Sequence, residues 1–389
     1  MSYTRKIVVT CAPLISPILA QEIERLGMPV KSINRLDIET EGTLLDAMRL
    51  NLQLRTAHRV LYQLKPLSIT QPDELYQAIC DYPWENQIPL DGYFSVQSYV
   101  KHPTITDGRF ANLKVKDAVV DRFMNKFGRR PNSGPMNDQI VLFLYWTEEE
   151  AAIYLNTSGE SLSKRGYREV TVAAPMQESL AAALLLSTQW HPSQPLINPM
   201  CGSGTIAIEA ALMQQNTYPG LLRGNYSFMH LKSYQSGIWR RLRQDLKLNQ
   251  QSRRDAERNI VATDSNPEAI DAAKKNARAA GVGHLIQFQL SDFAETPIPE
   301  TKKSSSGSPV IVINPPYGTR LGEERKLESL YARVGDFFKQ QGTGYYGYVF
   351  TANRELAKKI GLKTSRKQEF LNGKLPSQLL EYELYTGSK

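Results

Sequence analysis

The sequence predicts an α/β protein whose C-terminal, doubly wound, Rossmann-like domain follows two small α+β units. Three observations support this. Short apolar runs alternate with helical spacing from residue 161 to 389, the pattern of a sheet built from β-α repeats. Residues 1–65 and 66–160 mix strands and helices without that alternation. A chain of 389 residues is also too long for one compact core of ordinary size.

In the first unit, residues 7–10 read as a strand. Residues 17–26 have helical spacing and stop at Gly27. Residues 43–56 read as a helix with Leu44, Ala47, Met48 and Leu52 on one face, and residues 59–64 as a strand. In the second unit, residues 73–79 are helical and 93–100 alternate as a strand. Val115, Val119, Phe123 and Phe127 keep register along a helix over 114–127. Strands over 139–146 and 151–156 flank the acidic turn 147–150, a hairpin with a polar tip. This unit offers no nucleophile, acid–base pair or phosphate loop and reads as a binding module. In the third unit, strands are expected at 196–197, 260–263, 286–290, 310–313 and 346–350. Residues 301–309 form a polar, low-complexity loop.

Composition narrows the function. No run of roughly 18 apolar residues is present, so no membrane span is expected. The N-terminus lacks the apolar stretch of a signal peptide, so a cytoplasmic location is expected. Cys11, Cys80 and Cys201 are scattered without metal-ligand spacing, so free thiols and no metal are expected. The formal net charge of +8 points toward a polyanion. Cations stand beside aromatic rings in the segment containing Lys164, Arg165, Tyr167 and Arg168, and again where Arg240 and Arg241 follow Trp239. Such clusters suit an RNA surface, and equally suit two solvated amphipathic segments.

Four elements of the third unit carry chemistry. The turn Asn198-Pro199-Met200-Cys201-Gly202-Ser203-Gly204-Thr205 joins a strand to a helix. Its glycines admit a close ligand, and the helix start offers free N–H groups. A dinucleotide, S-adenosylmethionine or a tight packing corner all fit it. The missing GxGxxG and GK[ST] patterns argue against NAD and ATP. Next, Asp264 closes a strand and Ser265 follows, with Asn266 as N-cap and Pro267 at N1 of a helix. The cap position being filled, Asp264 is expected to accept from ribose hydroxyls. Asp292 and Phe293 follow the next strand, placed for an adenine amine and ring. The fourth element is Asn314-Pro315-Pro316-Tyr317-Gly318, directly after an apolar strand. An exocyclic base amine is a poor nucleophile because its lone pair is delocalised. The Asn314 side-chain oxygen and the Pro315 carbonyl can accept its hydrogens, Pro316 rigidifies the turn, and Tyr317 can stack on the base. The target base would have to leave its helix to enter.

These motifs, in this order, resemble those of class I methyltransferases acting on base amines. The NPPY tetrapeptide is shared by N6-adenine DNA enzymes and N2-guanine RNA enzymes. The 164–168 segment, the stretch 174–181, the run from Asn314 through 319–322 and the end at 379–382 resemble the bacterial 23S rRNA N2-guanine methyltransferases. The middle unit resembles their THUMP domain and the first unit their ferredoxin-like domain. The resemblance implies an RNA-gripping module and a methyltransferase that uses S-adenosylmethionine. It also implies cofactor contacts at Asn198, Met200, Cys201, Gly202, Ser203, Gly204 and Thr205, and at Asp264, Ser265, Asp292, Phe293 and Asn314. Position 198 is Asn where the family usually has Asp, which removes a charge that would face the cofactor's ammonium group. The chain is expected to lack the second methyltransferase of the longer fused forms.

The stretch between Met213 and Ile260 is longer than a minimal connection. Covering the target pocket, touching RNA and structural packing all fit it. Two other readings of the whole protein stand beside the enzyme: a non-catalytic RNA-binding or ribosome-assembly protein, and a methyltransferase acting on tRNA guanine or DNA adenine. The sequence does not fix the oligomeric state.

Overall fold

Alternation builds the first sheet. Strand β1 (Arg5–Cys11) turns Ile7 and Val9 inward between partly exposed neighbours. In the computed structural model, residues 3–103, 105, 107–172, 175–251, 258–300, 307–318 and 324–385 are described. The predicted features at Ala174, at 301–306 and at 319–322 lie outside the described residues. The chain divides into two units: Met1–Cys11, Leu19–Lys164 and Arg223–Asp245, then Ala12–Ile18, Arg165–Leu222 and Leu246–Lys389.

After β1 come α1 (Ser16–Arg25), β2 (Ser32–Ile33), β3 (Asp37–Gly42), α2 (Leu44–Gln53) and β4 (Ala57–Leu67). A capping box starts α2. The Thr43 hydroxyl accepts from the Asp46 N–H while the Asp46 carboxylate accepts from the Thr43 N–H, which satisfies two donors that a helix start leaves orphaned. Next are α3 (Pro72–Cys80), β5 (Tyr93–Lys101), α4 (Gly108–Phe127), β6 (Asn132–Ser133), β7 (Ile140–Thr147) and β8 (Ala151–Asn156). Long β4 pairs antiparallel with β1 on one side and β8 on the other. The result is one eight-stranded sheet, in the order β2-β3-β1-β4-β8-β7-β5-β6. The two N-terminal α+β segments therefore share their hydrogen-bond ladder.

The segment 223–245 packs into this first unit. Ser227 Oγ accepts from the Val141 N–H at 2.9 Å, and the Arg223 guanidinium donates to the Ser158, Glu160 and Ser161 carbonyls. Trp239 is buried edge-on against Tyr226 and Phe228, at 5.4 and 4.9 Å between ring centroids. Of the three roles open for the long stretch, these aromatics take the packing one.

The second unit holds α5 (Glu178–Leu186), β9 (Leu196–Pro199), α6 (Thr205–Gln214), the end of α7 (Ser236–Gln251), β10 (Ile260–Asp264), α8 (Pro267–Ala279), β11 (Ile286–Leu290), β12 (Val310–Ile313), α9 (Glu324–Gln341), β13 (Tyr346–Thr351), α10 (Arg354–Lys358), β14 (Arg366–Asn372) and β15 (Leu375–Glu383). The sheet order is β11-β10-β9-β12-β13-β15-β14. Strands β9 to β13 are mutually parallel, and the hairpin β14–β15 adds an antiparallel edge through β13. The sheet is thus mixed, where the alternation pattern pointed to a parallel one. Ile311, Ile313, Val349, Phe337, Phe338 and Tyr382 pack one face of it. Among the described residues, no helix is long and apolar enough to cross a membrane.

Candidate active site

The strand order reverses between β9 and β12, with β10 and β11 to one side and β13 to the other. In an open sheet of this kind, ligands bind beyond the carboxyl ends of the strands at that reversal. A cavity of about 780 Å³ lies there, and both the glycine-rich turn and the Asn-Pro-Pro-Tyr turn line it. Asn198 spans the reversal, its Nδ2 donating to the Val312 carbonyl at 2.8 Å.

The glycine-rich turn is tied to β10. The Cys201 N–H donates to the Thr263 carbonyl, and the Gly202 N–H donates to Asp264 Oδ2, both at 2.9 Å. Gly202 and Gly204 have φ of +55° and +81°. Gly204 also meets α8, where an added Cβ would lie 2.9 Å from the Ala273 Cβ, so a side chain is excluded twice over. Met200, another residue of the cavity lining, holds φ of +55° without being glycine, a strained conformation. Burial, helped by the nearby Asp264 charge, pushes the Cys201 thiol well above its ordinary pKa and keeps it protonated.

Two of the residues lining this cavity carry unpartnered side-chain carbonyl oxygens. Asn198 Oδ1 and Asn314 Oδ1 are buried with no hydrogen-bond partner among the described residues. Such atoms are costly unless a ligand completes them. Asp264 gives each carboxylate oxygen one backbone donor, from Gly202 to Oδ2 and from Asn266 to Oδ1 at 3.0 Å. A second lone pair remains on each. Asn266 caps α8 as the sequence suggested, accepting from the Glu268 N–H. Exposed Ser265 lines the cavity beside them.

Asp292 caps a short turn through the Ala294 N–H at 2.9 Å and accepts from Arg333 Nη2 at 2.7 Å. Both contacts involve Oδ1, not Oδ2. Burial raises its pKa, but the Ala294 N–H and the Arg333 guanidinium outweigh that and hold the carboxyl below its usual range. Arg333 also lies over the Phe293 ring, 4.8 Å from its centroid. In the fourth element, Pro315 is buried, Pro316 is exposed, and Tyr317 Oη accepts from Asn372 Nδ2 at 2.7 Å. That bond fixes the ring at the cavity wall.

The basic clusters need correction. Arg165 and Tyr167 are interior residues, at 1% and 2% exposure, and cannot present themselves to RNA. Arg165 Nε lies 3.6 Å from buried Glu209, and Tyr167 Oη donates to the same carboxylate at 3.2 Å. Arg168 is an internal brace. It donates to Ser203 Oγ and Thr205 Oγ1, both at 3.1 Å, to the Met176 carbonyl at 2.8 Å and to Glu178 Oε1 at 3.0 Å. The guanidinium holds the hydroxyls of the glycine-rich turn. Lys164 is exposed and paired with Glu160, while Arg240 and Arg241 are exposed on α7.

Sequence reasoning missed Arg333 and Asn276. Asn276 Oδ1 accepts from the Glu169 and Val170 N–H groups, and its Nδ2 donates to the Val170 and Ser203 carbonyls. It staples the 168–170 segment to the turn. No local signal marked either residue, since each acts across distant parts of the chain. Val172 and Met176, which also line the cavity, carried no chemical signal of their own. Among the described residues, no group of three or more His, Cys, Asp or Glu is placed to hold a metal.

Comparison with known proteins agrees with this geometry. Family models match for an RlmL ferredoxin-like domain over 6–61, a THUMP domain over 70–156 and an RMKL-like methyltransferase domain over 165–381. The chain is 36% identical over 97% of its length to the "Ribosomal RNA large subunit methyltransferase K/L" of Syntrophotalea carbinolica, of which it covers 53%. It thus spans about half the length of the K/L relatives it matches. It is 32% identical to "Putative RNA methyltransferase slr0064" of Synechocystis sp., over 98% of this chain and 97% of that one. Among solved structures, SMU.472, described as "a putative methyltransferase complexed with SAH", aligns over the whole of both chains with a TM-score of 0.85 and 26% identity. A Listeria monocytogenes protein described as "a predicted N6-adenine-specific DNA methylase" aligns with a TM-score of 0.85 and 32% identity, over 98% of this chain and 96% of that one. The chain belongs to the RMKL-like methyltransferase family, with RlmL ferredoxin-like and THUMP domains ahead of its methyltransferase domain.

Proposed function

We propose that this protein transfers a methyl group from S-adenosylmethionine to the exocyclic N2 amine of a guanine in 23S rRNA. The RNA would be met in the cytoplasm, as structured RNA or within an assembling large subunit. The observation that carries the reading is a pair of buried carbonyl oxygens, Asn198 Oδ1 and Asn314 Oδ1, unpartnered among the described residues, on two residues that line one cavity at the sheet's reversal point. When bound, the cofactor supplies an electrophilic methyl group on a sulfonium.

The residues present fit that cofactor. Asn198 Oδ1 offers an acceptor for an ammonium group. The remaining lone pairs of Asp264 suit ribose hydroxyls, and Asp292 Oδ2 suits an adenine amine. Asn314 Oδ1 and the Pro315 carbonyl accept the two hydrogens of the target amine, drawing its nitrogen toward a tetrahedral, nucleophilic form. Tyr317, held by Asn372, stacks on the extruded base. No general base is needed before transfer, because the amine proton becomes acidic as the new bond forms.

The test incubates the protein with labelled cofactor and, separately, 23S rRNA, transfer RNA or duplex DNA, then digests each and identifies the nucleoside. N2-methylguanosine from 23S rRNA is expected. N6-methyladenine from DNA, or label confined to transfer RNA, would replace the substrate, and no label in any of them would favour a non-catalytic RNA-binding role.

A further inference from the structure

A second cavity, of about 510 Å³, lies within the N-terminal unit on the sheet face opposite Ile7 and Val9. Register places its lining. Thr10 of β1 stands opposite Asp37 of β3 and Arg59 of β4, and Val8 stands opposite Glu39 and Leu61. Farther across the sheet, Tyr99 of β5 faces Tyr145 of β7, and Phe143 faces Tyr154. The Tyr99 and Tyr145 rings are nearly parallel, 5.6 Å apart with a 14° tilt, and Tyr99 is about half exposed.

Two polar atoms in this lining are unsatisfied. Thr10 Oγ1 and Arg59 Nε are buried with no hydrogen-bond partner among the described residues. The other charged groups have partners of their own. Lys6 Nζ lies 2.7 Å from Glu39 and 3.7 Å from Glu150, and Asp37 accepts from Asn34 at 2.8 Å. Three carboxylates against two strong cations disfavour a phosphate. A flat ring with polar edges and hydroxyls suits the lining better, because aromatic side chains on an open sheet face stack unpaired bases.

We infer that this cavity binds one unpaired nucleobase, with its ribose, from the RNA strand. The ring lies on the Tyr99–Tyr145 pair, Arg59 Nε donates to a base carbonyl or ring nitrogen, and the Thr10 hydroxyl completes the edge. The inference rests on the RNA reading above and adds to it a contact site separate from the methyl-transfer cavity.

The experiment uses the full chain and a short single-stranded RNA of mixed sequence carrying one 2-aminopurine. Binding is expected to quench the fluorescent base. Tyr99→Ala is expected to weaken binding about tenfold, the scale of one lost base stack, and to abolish the quench. Its salt dependence should match that of the unaltered protein, since no phosphate contact is lost. Tyr99→Phe keeps the ring and should behave as the unaltered protein does. Binding by Tyr99→Ala equal to that of the unaltered protein, or an absent quench, overturns the inference. So does Tyr99-dependent binding of a Lys-rich peptide in place of the oligonucleotide. A protein that methylates 23S rRNA yet never quenches the probe overturns this site alone. One that quenches through Tyr99 but methylates no RNA upholds this site and overturns the methylation reading.

Discussion

Asn198 does two things at once: its Nδ2 ties β9 to β12 through the Val312 carbonyl, and its buried Oδ1 is left without a hydrogen-bond partner among the described residues. An aspartate there would bring a buried charge and set a carboxylate oxygen against that carbonyl. Asn198→Asp is therefore expected to destabilise the free protein by roughly 1–3 kcal/mol, the scale of a lost buried hydrogen bond and its unmatched acceptor. Saturating cofactor should restore part of the loss, because an ammonium partner neutralises the new charge. Denaturant unfolding with and without cofactor measures both effects, and equal stability of the two proteins without cofactor would contradict this account of Asn198. Motifs and turns were legible at this scale because their chemistry is local. The fate of Arg165, Tyr167 and Arg168 was not. A basic and aromatic run has one composition whether its partners are phosphates or, as here, the distant Glu209 and the hydroxyls of the glycine-rich turn.

At the scale of elements, the glycine-rich turn is held in place by Arg168 and Asn276. Arg168→Ala is expected to raise the cofactor Kd about tenfold through lost charge-assisted bonds, with RNA affinity unchanged. Titration with each ligand checks it, and a variant that lost RNA affinity alone would return Arg168 to a binding surface. In the first unit, Glu85, in the short turn after α3, is tied to α4 by accepting from Arg122 and Lys126, each at 2.7 Å. Arg122 foremost, against the opposing effect of burial and with help from Lys126, holds this carboxyl far below its usual range. A depressed carboxyl contributes stability above its unfolded pKa and loses it as pH falls toward the folded one. Glu85→Gln should therefore unfold more easily at pH 7, with the difference shrinking on acidification below about pH 4, the unfolded carboxyl range. A difference that grew on acidification would contradict the sign. Element positions followed from periodicity, and the strands over 286–290 and 310–313 lie where expected. The shared sheet did not follow, because the β4–β8 ladder joins strands far apart in sequence. The edge hairpin β14–β15 escaped notice because its first strand carries mostly polar residues.

At the scale of the whole molecule, a net charge of +8 suits the proposed RNA partner, and the exposed Arg240 and Arg241 on α7 are cations that could meet it. Replacing both with Ala is expected to weaken RNA binding and flatten the slope of log affinity against log salt by about 1 to 2. An unchanged slope would remove them from the interface. The domain order was legible because each segment keeps its own periodicity. The placement of 223–245 in the first unit was not, because its contacts to Val141 and Ser158 are visible only once the chain is folded. The central claim is that Asn314 activates the target amine beside the bound cofactor. Methyl transfer to 23S rRNA by Asn314→Ala, measured together with cofactor affinity, tests it most directly. The expected result is turnover lower by roughly a hundredfold or more, the loss of one aligned polar group at a transition state, with the cofactor Kd unchanged. Undiminished turnover would contradict it.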